Sequence, residues 1–164
     1  MKTTFTRIFN LILVGLLAGS MMEEYFVVKV NFSLLPSEQW GALHAMFPRF
    51  HLPLIIPIAI LATISLIILL YFERKNKGLA KTLTWISVPL FAGIIIITGA
   101  FLMPLNFAIA EWESTGTPTN WEETKNQWIF LQGFRALLSI GGFMLLTVAF
   151  GFSKEIPKKE NVIR

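Results

Sequence analysis

The chain has 164 residues, of which 54% are hydrophobic and 15% charged, a composition too apolar for a soluble domain of this length. The absence of Cys excludes disulfides, thiolate metal sites and thiol redox relays. The formal net charge is +4, but the basic residues lie beside the ends of apolar runs and not on a face with interleaved aromatic residues, so we expect no nucleic-acid binding.

Four apolar runs are long enough to cross a bilayer core about 30 Å thick as helices. They lie at about 8–30, 53–72, 83–103 and 128–152. None shows the alternation typical of a transmembrane strand. The predicted fold is therefore all-α, a transmembrane four-helix up-and-down bundle that forms a single domain over residues 1–164, with the lipid bilayer as its main partner.

The first run has two interpretations. Lys2 and Arg7 precede it and it passes through the small residues of "AGS", so it also resembles a secretory signal peptide, whose cleavage would leave three helices. Because the apolar run resumes at Tyr25 and continues to Val30, we expect the first helix to be retained.

The connection after the first run predicts a short helix on the outer membrane surface. Ser37 is a possible N-cap, and Trp40, Leu43 and Phe47 are apolar residues at helical spacing. Pro48 is the predicted end of this helix. Tryptophan favours the membrane interface, which suits this position.

The later connections differ in length. "ERKNKGLAK" is a short charged turn between the second and third spans, whereas the connection after the third span is long. "LNFAIAEW" has helical composition, so Pro104 need not end the third helix. Asn120 and Glu123 have the spacing of a capping box, which predicts that the fourth helix begins near Trp121.

The distribution of basic residues predicts the orientation in the membrane. They concentrate at the two termini and in the loop between the second and third spans: Lys2, Arg7, Arg74, Lys75, Lys77, Lys81, Lys154, Lys158, Lys159 and Arg164. By the positive-inside rule, we expect both termini to face the cytoplasm of a multi-pass inner-membrane protein.

Charged residues of opposite sign lie inside the first and last apolar runs. Arg135 lies roughly 10 Å below the outer boundary if Trp128 marks that boundary, and Glu24 lies at a similar depth. We therefore expect Arg135 to pair with Glu24 or with its neighbour Glu23, and the sequence does not choose between the two carboxylates. The alternative is that Arg135 reaches the headgroups along its own stem and both glutamates lie at a hydrated helix end.

Further polar residues are expected in the same outer region. Asn106 could orient a ligand carbonyl or carboxylate, and Gln132 precedes Arg135 by about one turn and is expected to share its face. Of the two histidines, His44 is the better candidate acid or base, although a solvated histidine at the interface is the default for both. His44 and His51 share one loop, so a bis-histidine haem site is not expected, and we predict no metal site.

The tryptophans of the outer region also have two interpretations. They are Trp40, Trp112, Trp121 and Trp128. Their simplest role is an interfacial belt, and the alternative is the lining of an aromatic pocket.

The C-terminal half resembles a known family. "PLNFAIAEWE" and "NWEETKNQWIFLQGFR" are similar to segments of the small four-helix membrane proteins called anthrone oxygenase-like, many of which are a domain of unknown function. Pro104, Leu105, Asn106, Trp128 and Arg135 match the family's "PLN" and its W-x-x-x-N/H-x-x-R pattern. Gln132 stands where Asn or His is usual. The resemblance implies a four-helix bundle and, as in the characterised relatives, oxidation of an anthrone by oxygen without a recognised cofactor.

Two functional hypotheses follow from these residues. The first is an outer-leaflet pocket for a hydrophobic aromatic or quinone-like small molecule, with Glu24, His44 and Arg135 as catalytic candidates and with Asn106, Trp128, Gln132 and Glu23 as ligand-binding candidates. Its chemistry would be cofactor-independent oxygenation, with a carboxylate or imidazole base and with stabilisation of an oxyanion by Arg135 and Asn106. The second is a membrane binding or assembly subunit without catalysis, in which the ion pair only specifies helix register.

Overall fold

The computed structural model describes residues 2–27, 31–75 and 77–153. Within these ranges the chain is helical apart from short connections, and no strand occurs among them. The elements are α1 (Lys2–Val27), α2 (Ser37–Glu73), α3 (Leu79–Ile96), a π-helical segment (Ile97–Leu102), α4 (Met103–Thr115) and α5 (Trp121–Gly151). The predicted all-α fold class is confirmed.

Four stretches of the described helices are long and apolar enough to cross a membrane. They are Thr3–Val27, Pro53–Glu73, Leu79–Thr115 and Trp121–Gly151. Large apolar side chains such as Phe5, Ile67 and Leu137 are exposed on the outside of the bundle, where lipid replaces water as the solvent. The chain is therefore a multi-pass membrane protein. The predicted end of the first span, residues 28–30, lies outside the described residues.

The predicted short helix between the first two spans is present at residues 37–46 and forms the N-terminal part of α2. Its N-cap position is Pro36, so Ser37 is the first helical residue and does not cap the helix. The prediction that Pro48 ends this helix is wrong, because the helical backbone continues through residues 47–52 into the span. Proline inside a membrane helix is tolerated where neighbouring helices compensate for the lost hydrogen bond.

The third span continues through Pro104, as predicted. The stretch from Leu79 to Thr115 is unbroken, and Pro104 lies in the first turn of α4. Proline has no N–H to donate and its ring crowds the carbonyl four residues earlier. The preceding π segment widens the helix, and the Met103 N–H donates to the carbonyl of Thr98. The widened turn accommodates the proline without ending the helix.

The last helix begins at the predicted residue. α5 begins at Trp121 and has Glu122 and Glu123 in its first turn. The expected capping box does not form, because the side chain of Asn120 makes no capping hydrogen bond. The Glu123 N–H donates instead to the backbone carbonyl of Asn120 at 3.1 Å.

The spans pack in a closed ring. α1 contacts α2 and α5, α5 also contacts α3, and α4 contacts α2. Glycines allow the close crossings on α5: a Cβ on Gly133 would lie 2.6 Å from the ring of Tyr25, and one on Gly142 would lie 2.8 Å from the ring of Phe91. Small residues at such crossings let membrane helices approach closely.

The two ends of the bundle differ in composition. We call one end the aromatic end, because it contains Trp40, Trp112, Trp121 and Trp128. We call the opposite end the basic end, because it contains Arg7, Arg74, Lys75, Lys77 and Lys81. The polar side chains that the sequence predicts to be functional lie toward the aromatic end.

Candidate functional site

A row of buried side chains follows one face of α5. Trp128, Gln132, Arg135 and Ser139 are spaced three or four residues apart, so they project from the same side of the helix. This side faces the interior of the bundle, where Trp128, Gln132 and Ser139 are buried. The row provides one indole N–H, one amide and one guanidinium within about two turns of α5.

Glu24 on α1 accepts two hydrogen bonds from this row. Arg135 Nη2 donates to its Oε2 at 2.6 Å, and Gln132 Nε2 donates to its Oε1 at 2.8 Å. The predicted ion pair between the first and last spans therefore forms, and Gln132 shares the face of Arg135 as predicted. The alternative in which Arg135 extends alone to the headgroups is wrong, because its guanidinium binds the Glu24 carboxylate.

The ion pair between Arg135 and Glu24 is largely buried inside the bundle. The side chains of Arg135 and Glu24 are only 11% and 16% exposed. Opposite charges at hydrogen-bond distance neutralise each other, which makes their burial tolerable. Glu23 is exposed, because adjacent helical positions point about 100° apart. Helix rotation thus selects Glu24 as the partner.

Arg135 also reaches the π segment. Its Nη1 donates to Thr98 Oγ1 at 3.4 Å, and Thr98 Oγ1 in turn donates to the Ile94 carbonyl at 2.7 Å. Among the described residues, Arg135 Nε has no hydrogen-bond partner although it is buried. A buried N–H of a charged group without a partner is uncommon and calls for an explanation.

A second polar group joins three helices beside the first. Trp128 Nε1 on α5 donates to Asn106 Oδ1 on α4 at 2.7 Å. His44 on α2 also forms a hydrogen bond with the Asn106 side chain. The imidazole packs edge-on against the Trp128 indole, with 4.9 Å between the ring centroids. Asn106 thus connects the histidine and the tryptophan.

Burial changes the acid–base character of His44. Desolvation lowers the pKa of His44 from 6.5 to about 4, and the hydrogen bond with Asn106 acts against this shift. The imidazole is therefore neutral at neutral pH and retains a nitrogen that can accept a proton. The prediction of a solvated interfacial histidine is wrong for His44, because the fold places it between Trp40 and Trp128.

The tryptophans of the aromatic end form a cluster around Trp40. Its ring centroid lies 5.9 Å from that of Trp112, 6.3 Å from that of Trp121 and 6.2 Å from that of Trp128. Trp40 and Trp128 are buried, so the interfacial-belt prediction is wrong for these two residues. Tryptophans from α2, α4 and α5 instead meet inside the bundle.

Lys125 packs against this cluster, which the sequence analysis does not predict. Its ammonium donates to the Ser33 carbonyl at 3.3 Å and lies 4.4 Å from the centroid of the Trp121 ring. The side chain is buried, and no carboxylate of the described residues pairs with its ammonium, which is unusual for a lysine. In the sequence, only the four-residue spacing from Trp121, about one helical turn, indicates that Lys125 can reach this ring.

Six of the seven sequence candidates divide into two groups. Glu24, Gln132 and Arg135 form one group, and His44, Asn106 and Trp128 form the other, with α5 contributing to both. Seven residues separate Trp128 from Arg135, or about 10 Å along the helix. The seventh candidate, Glu23, lies on the exposed face of α1.

Comparison with known protein families gives a match. The family model described as anthrone oxygenase matches residues 45–145. No curated protein and no solved structure matches the chain. The matched range includes Thr98, Asn106, Trp128, Gln132 and Arg135.

Proposed function

The chain belongs to the anthrone oxygenase family, and from that premise we propose that its aromatic end binds a hydrophobic aromatic or quinone-like small molecule. The proposed pocket is lined by Glu24, His44, Asn106, Trp128 and Arg135. Gln132 supports it by holding the Glu24 carboxylate in place. The indole rings supply flat apolar surfaces that suit a fused aromatic ring system.

The observation that carries this proposal is the buried Nε of Arg135. A buried donor of a charged group that has no acceptor destabilises the folded protein by roughly 1–3 kcal/mol or more. A ligand oxygen that accepts from Nε would recover this loss, most effectively if the oxygen carries negative charge. Ketones, enolates and phenolates of aromatic ring systems have such an oxygen.

The reaction proposed for such a ligand is oxygenation of an anthrone methylene without a cofactor. A base removes one C–H proton, the carbanion forms a C–O bond with O₂, and the peroxide takes up the proton to give a hydroperoxide. Removal of the second C–H proton forms the C=O bond and breaks the O–O bond, and the hydroxide released becomes water. One O₂ is consumed, and the products are one anthraquinone and one water.

We assign the base to His44 and the oxyanion contact to Arg135. Both oxygens of Glu24 already accept hydrogen bonds, which makes this carboxylate a positioning group for the guanidinium. His44 is neutral, and its hydrogen bond with Asn106 stabilises the imidazolium that forms when it accepts a proton. Arg135 faces the negative charge that develops on the ring oxygen.

Retained ligand and oxygen consumption test this proposal. We expect protein purified in mild detergent to retain an aromatic molecule detectable by mass spectrometry, and to consume O₂ with anthrone-like compounds. Arg135→Lys should lose most of both signals, because a lysine ammonium cannot reproduce the guanidinium fork. Arg74→Lys makes the same exchange at an exposed site of the basic end and should change neither. Absence of both signals from the unmodified protein would argue against the pocket.

His44→Phe separates the proton transfer from the packing. The phenyl ring can still pack between the two indoles, but it cannot accept a proton. We expect ligand retention to persist and oxygen uptake to fall by about 10²-fold or more, the usual contribution of a general base. Unchanged oxygen uptake would exclude His44 as the base.

A second candidate function is a binding or assembly subunit without catalysis. It is favoured by the burial of Trp40 and Trp128 and by the satisfied Glu24 carboxylate, which are features of a tightly packed helix interface. Retention of a small molecule without turnover of anthrone-like compounds would support this role over the enzymatic one.

We also propose that the basic end faces the cytoplasm of an inner membrane, which places the pocket in the outer leaflet. Five basic residues at that end support this orientation. Because the chain has no Cys, single introduced cysteines report the topology. Thr117→Cys should react with a membrane-impermeant maleimide on intact cells, and Lys77→Cys should react only after lysis. The reverse pattern would reject the orientation.

A further inference from the structure

A second polar cluster lies at the basic end, far from the candidate pocket. Arg7 on α1 donates from Nε to Glu73 Oε1 on α2 at 2.8 Å, and its Nη2 donates to the same oxygen. The Glu73 side chain is 0% exposed, so α1 and α2 are joined here by a buried ion pair. The sequence places an arginine and a glutamate at the same end of adjacent spans, but their pairing depends on how the two helices are rotated.

Asn10 extends this cluster one turn deeper into the bundle. Its Nδ2 donates to the Ala62 carbonyl at 3.3 Å and to Ser65 Oγ at 2.7 Å. The residue is fully buried, and among the described residues its Oδ1 has no hydrogen-bond partner. A buried carbonyl oxygen without a donor costs roughly 1–3 kcal/mol.

A small cavity adjoins Asn10. It has a volume of about 10 Å³ and is lined by the polar residues Arg7, Asn10 and Thr84 and by the apolar residues Leu69, Leu146 and Ala149 among others. About 10–15 Å³ is the space that one ordered water needs, and such a water usually has two to four polar partners. The cavity is too small for a lipid headgroup or a metabolite.

We propose that this cavity binds one water molecule that donates a hydrogen bond to Asn10 Oδ1. Arg7 and Thr84 lie in the same wall and supply further polar partners. The Thr84 hydroxyl donates to the Ala80 carbonyl at 2.8 Å, and its oxygen can still accept. An apolar occupant would leave Asn10 Oδ1 unsatisfied, whereas water removes that cost.

The bound water completes a polar clamp on α1. Asn10 and Arg7 hold one end of this helix to α2, and Glu24 holds the other end to α5. With both ends fixed to different helices, the depth and rotation of α1 are determined. This hydration site is independent of any ligand at the aromatic end, so its test does not depend on the proposed function.

Nuclear magnetic resonance tests the proposal with the full chain in lipid nanodiscs and ¹⁵N-labelled asparagine. We expect a cross-peak between water and the Nδ2 protons of Asn10. The resonance is assigned by its loss in Asn10→Leu or, if that variant does not fold, by its shift in Ser65→Ala, which removes the hydroxyl that accepts from it. An assigned Asn10 resonance without a water cross-peak would overturn the proposal.

Two further variants of α5 test whether the water occupies this cavity. Ala149→Val fills the cavity wall with additional methyl groups, and we expect the cross-peak to disappear while the Asn10 resonance remains. Thr147→Val adds no bulk to the cavity, because Thr147 is exposed, and should leave the cross-peak unchanged. A cross-peak that persists in Ala149→Val would show that water reaches Asn10 by another route and would also overturn the proposal.

Discussion

The ion pair between Glu24 and Arg135 can be measured by a double-mutant cycle. Glu24→Gln removes the negative charge with little change of shape, and Arg135→Met removes the positive charge while keeping an apolar stem. Removing one partner of a buried pair leaves an uncompensated charge and typically costs 3–5 kcal/mol. Because these side chains are 16% and 11% exposed, we expect the lower value, about 3 kcal/mol, for each single variant.

The double variant is the informative one. It leaves no unpaired charge, and Gln132 can still donate to the amide oxygen that the Glu24→Gln substitution introduces. We therefore expect the double variant to be less stable than the unmodified protein by only about 1 kcal/mol. The effects of the two substitutions would then be strongly non-additive, with a coupling of several kcal/mol.

Thermal unfolding in mild detergent, followed by tryptophan fluorescence, measures these differences. For a chain of this size, about 3 kcal/mol corresponds to a decrease in Tm of roughly 6–12 °C. Glu113→Gln is the matched control, because Glu113 is an exposed acid at the aromatic end and its loss should change stability by less than about 0.5 kcal/mol. Single variants as stable as this control, or effects that simply add, would refute a buried ion pair.

Three further predictions concern the packing and the histidine. Gly142→Ala should destabilise the bundle by about 1–3 kcal/mol in the same unfolding assay, because its Cβ would lie 2.8 Å from Phe91, whereas Gly19→Ala, with nothing within 4 Å, should not. Burial lowers the pKa of His44 from 6.5 to about 4, so as the pH falls the imidazole is protonated in the unfolded chain before it is protonated in the folded one. The free energy of unfolding should therefore decrease by about 3 kcal/mol between pH 6.5 and 4. This part of the pH dependence should be missing from His44→Phe. Trp128→Phe keeps a ring in the cluster but removes the N–H donor, and should cost about 1 kcal/mol in that assay; no change would mean that the indole hydrogen bond is not formed.

The π segment explains how two polar groups can lie side by side toward the aromatic end of the bundle. Thr98 and Asn106 are eight residues apart, and the wider turn between them alters the rotation of α4 relative to α3. Thr98 accordingly meets Arg135, while Asn106 meets Trp128 and His44. Helical spacing in the sequence cannot anticipate this division, because it assumes a constant number of residues per turn.

The local properties of the sequence were sufficient to predict the four spans and one polar contact between them. Apolar length identified the four membrane-crossing helices, and matching depths in the first and last spans indicated that Arg135 would meet a glutamate. These features depend on composition and on rise per residue, which the chain encodes locally. The resemblance of the segment around Asn106 and Trp128 also indicated the family that the family model matches.

Only the tertiary structure decided which side chains face one another. The choice of Glu24 over Glu23, the burial of His44 against Trp128, and the pairing of Arg7 with Glu73 all depend on how each helix is rotated and what packs against it. In a membrane, apolar residues are favourable on the lipid side as well as inside the bundle, so hydrophobicity does not identify the inner face. That face is fixed by close glycine crossings and by polar contacts between segments that are distant in the chain.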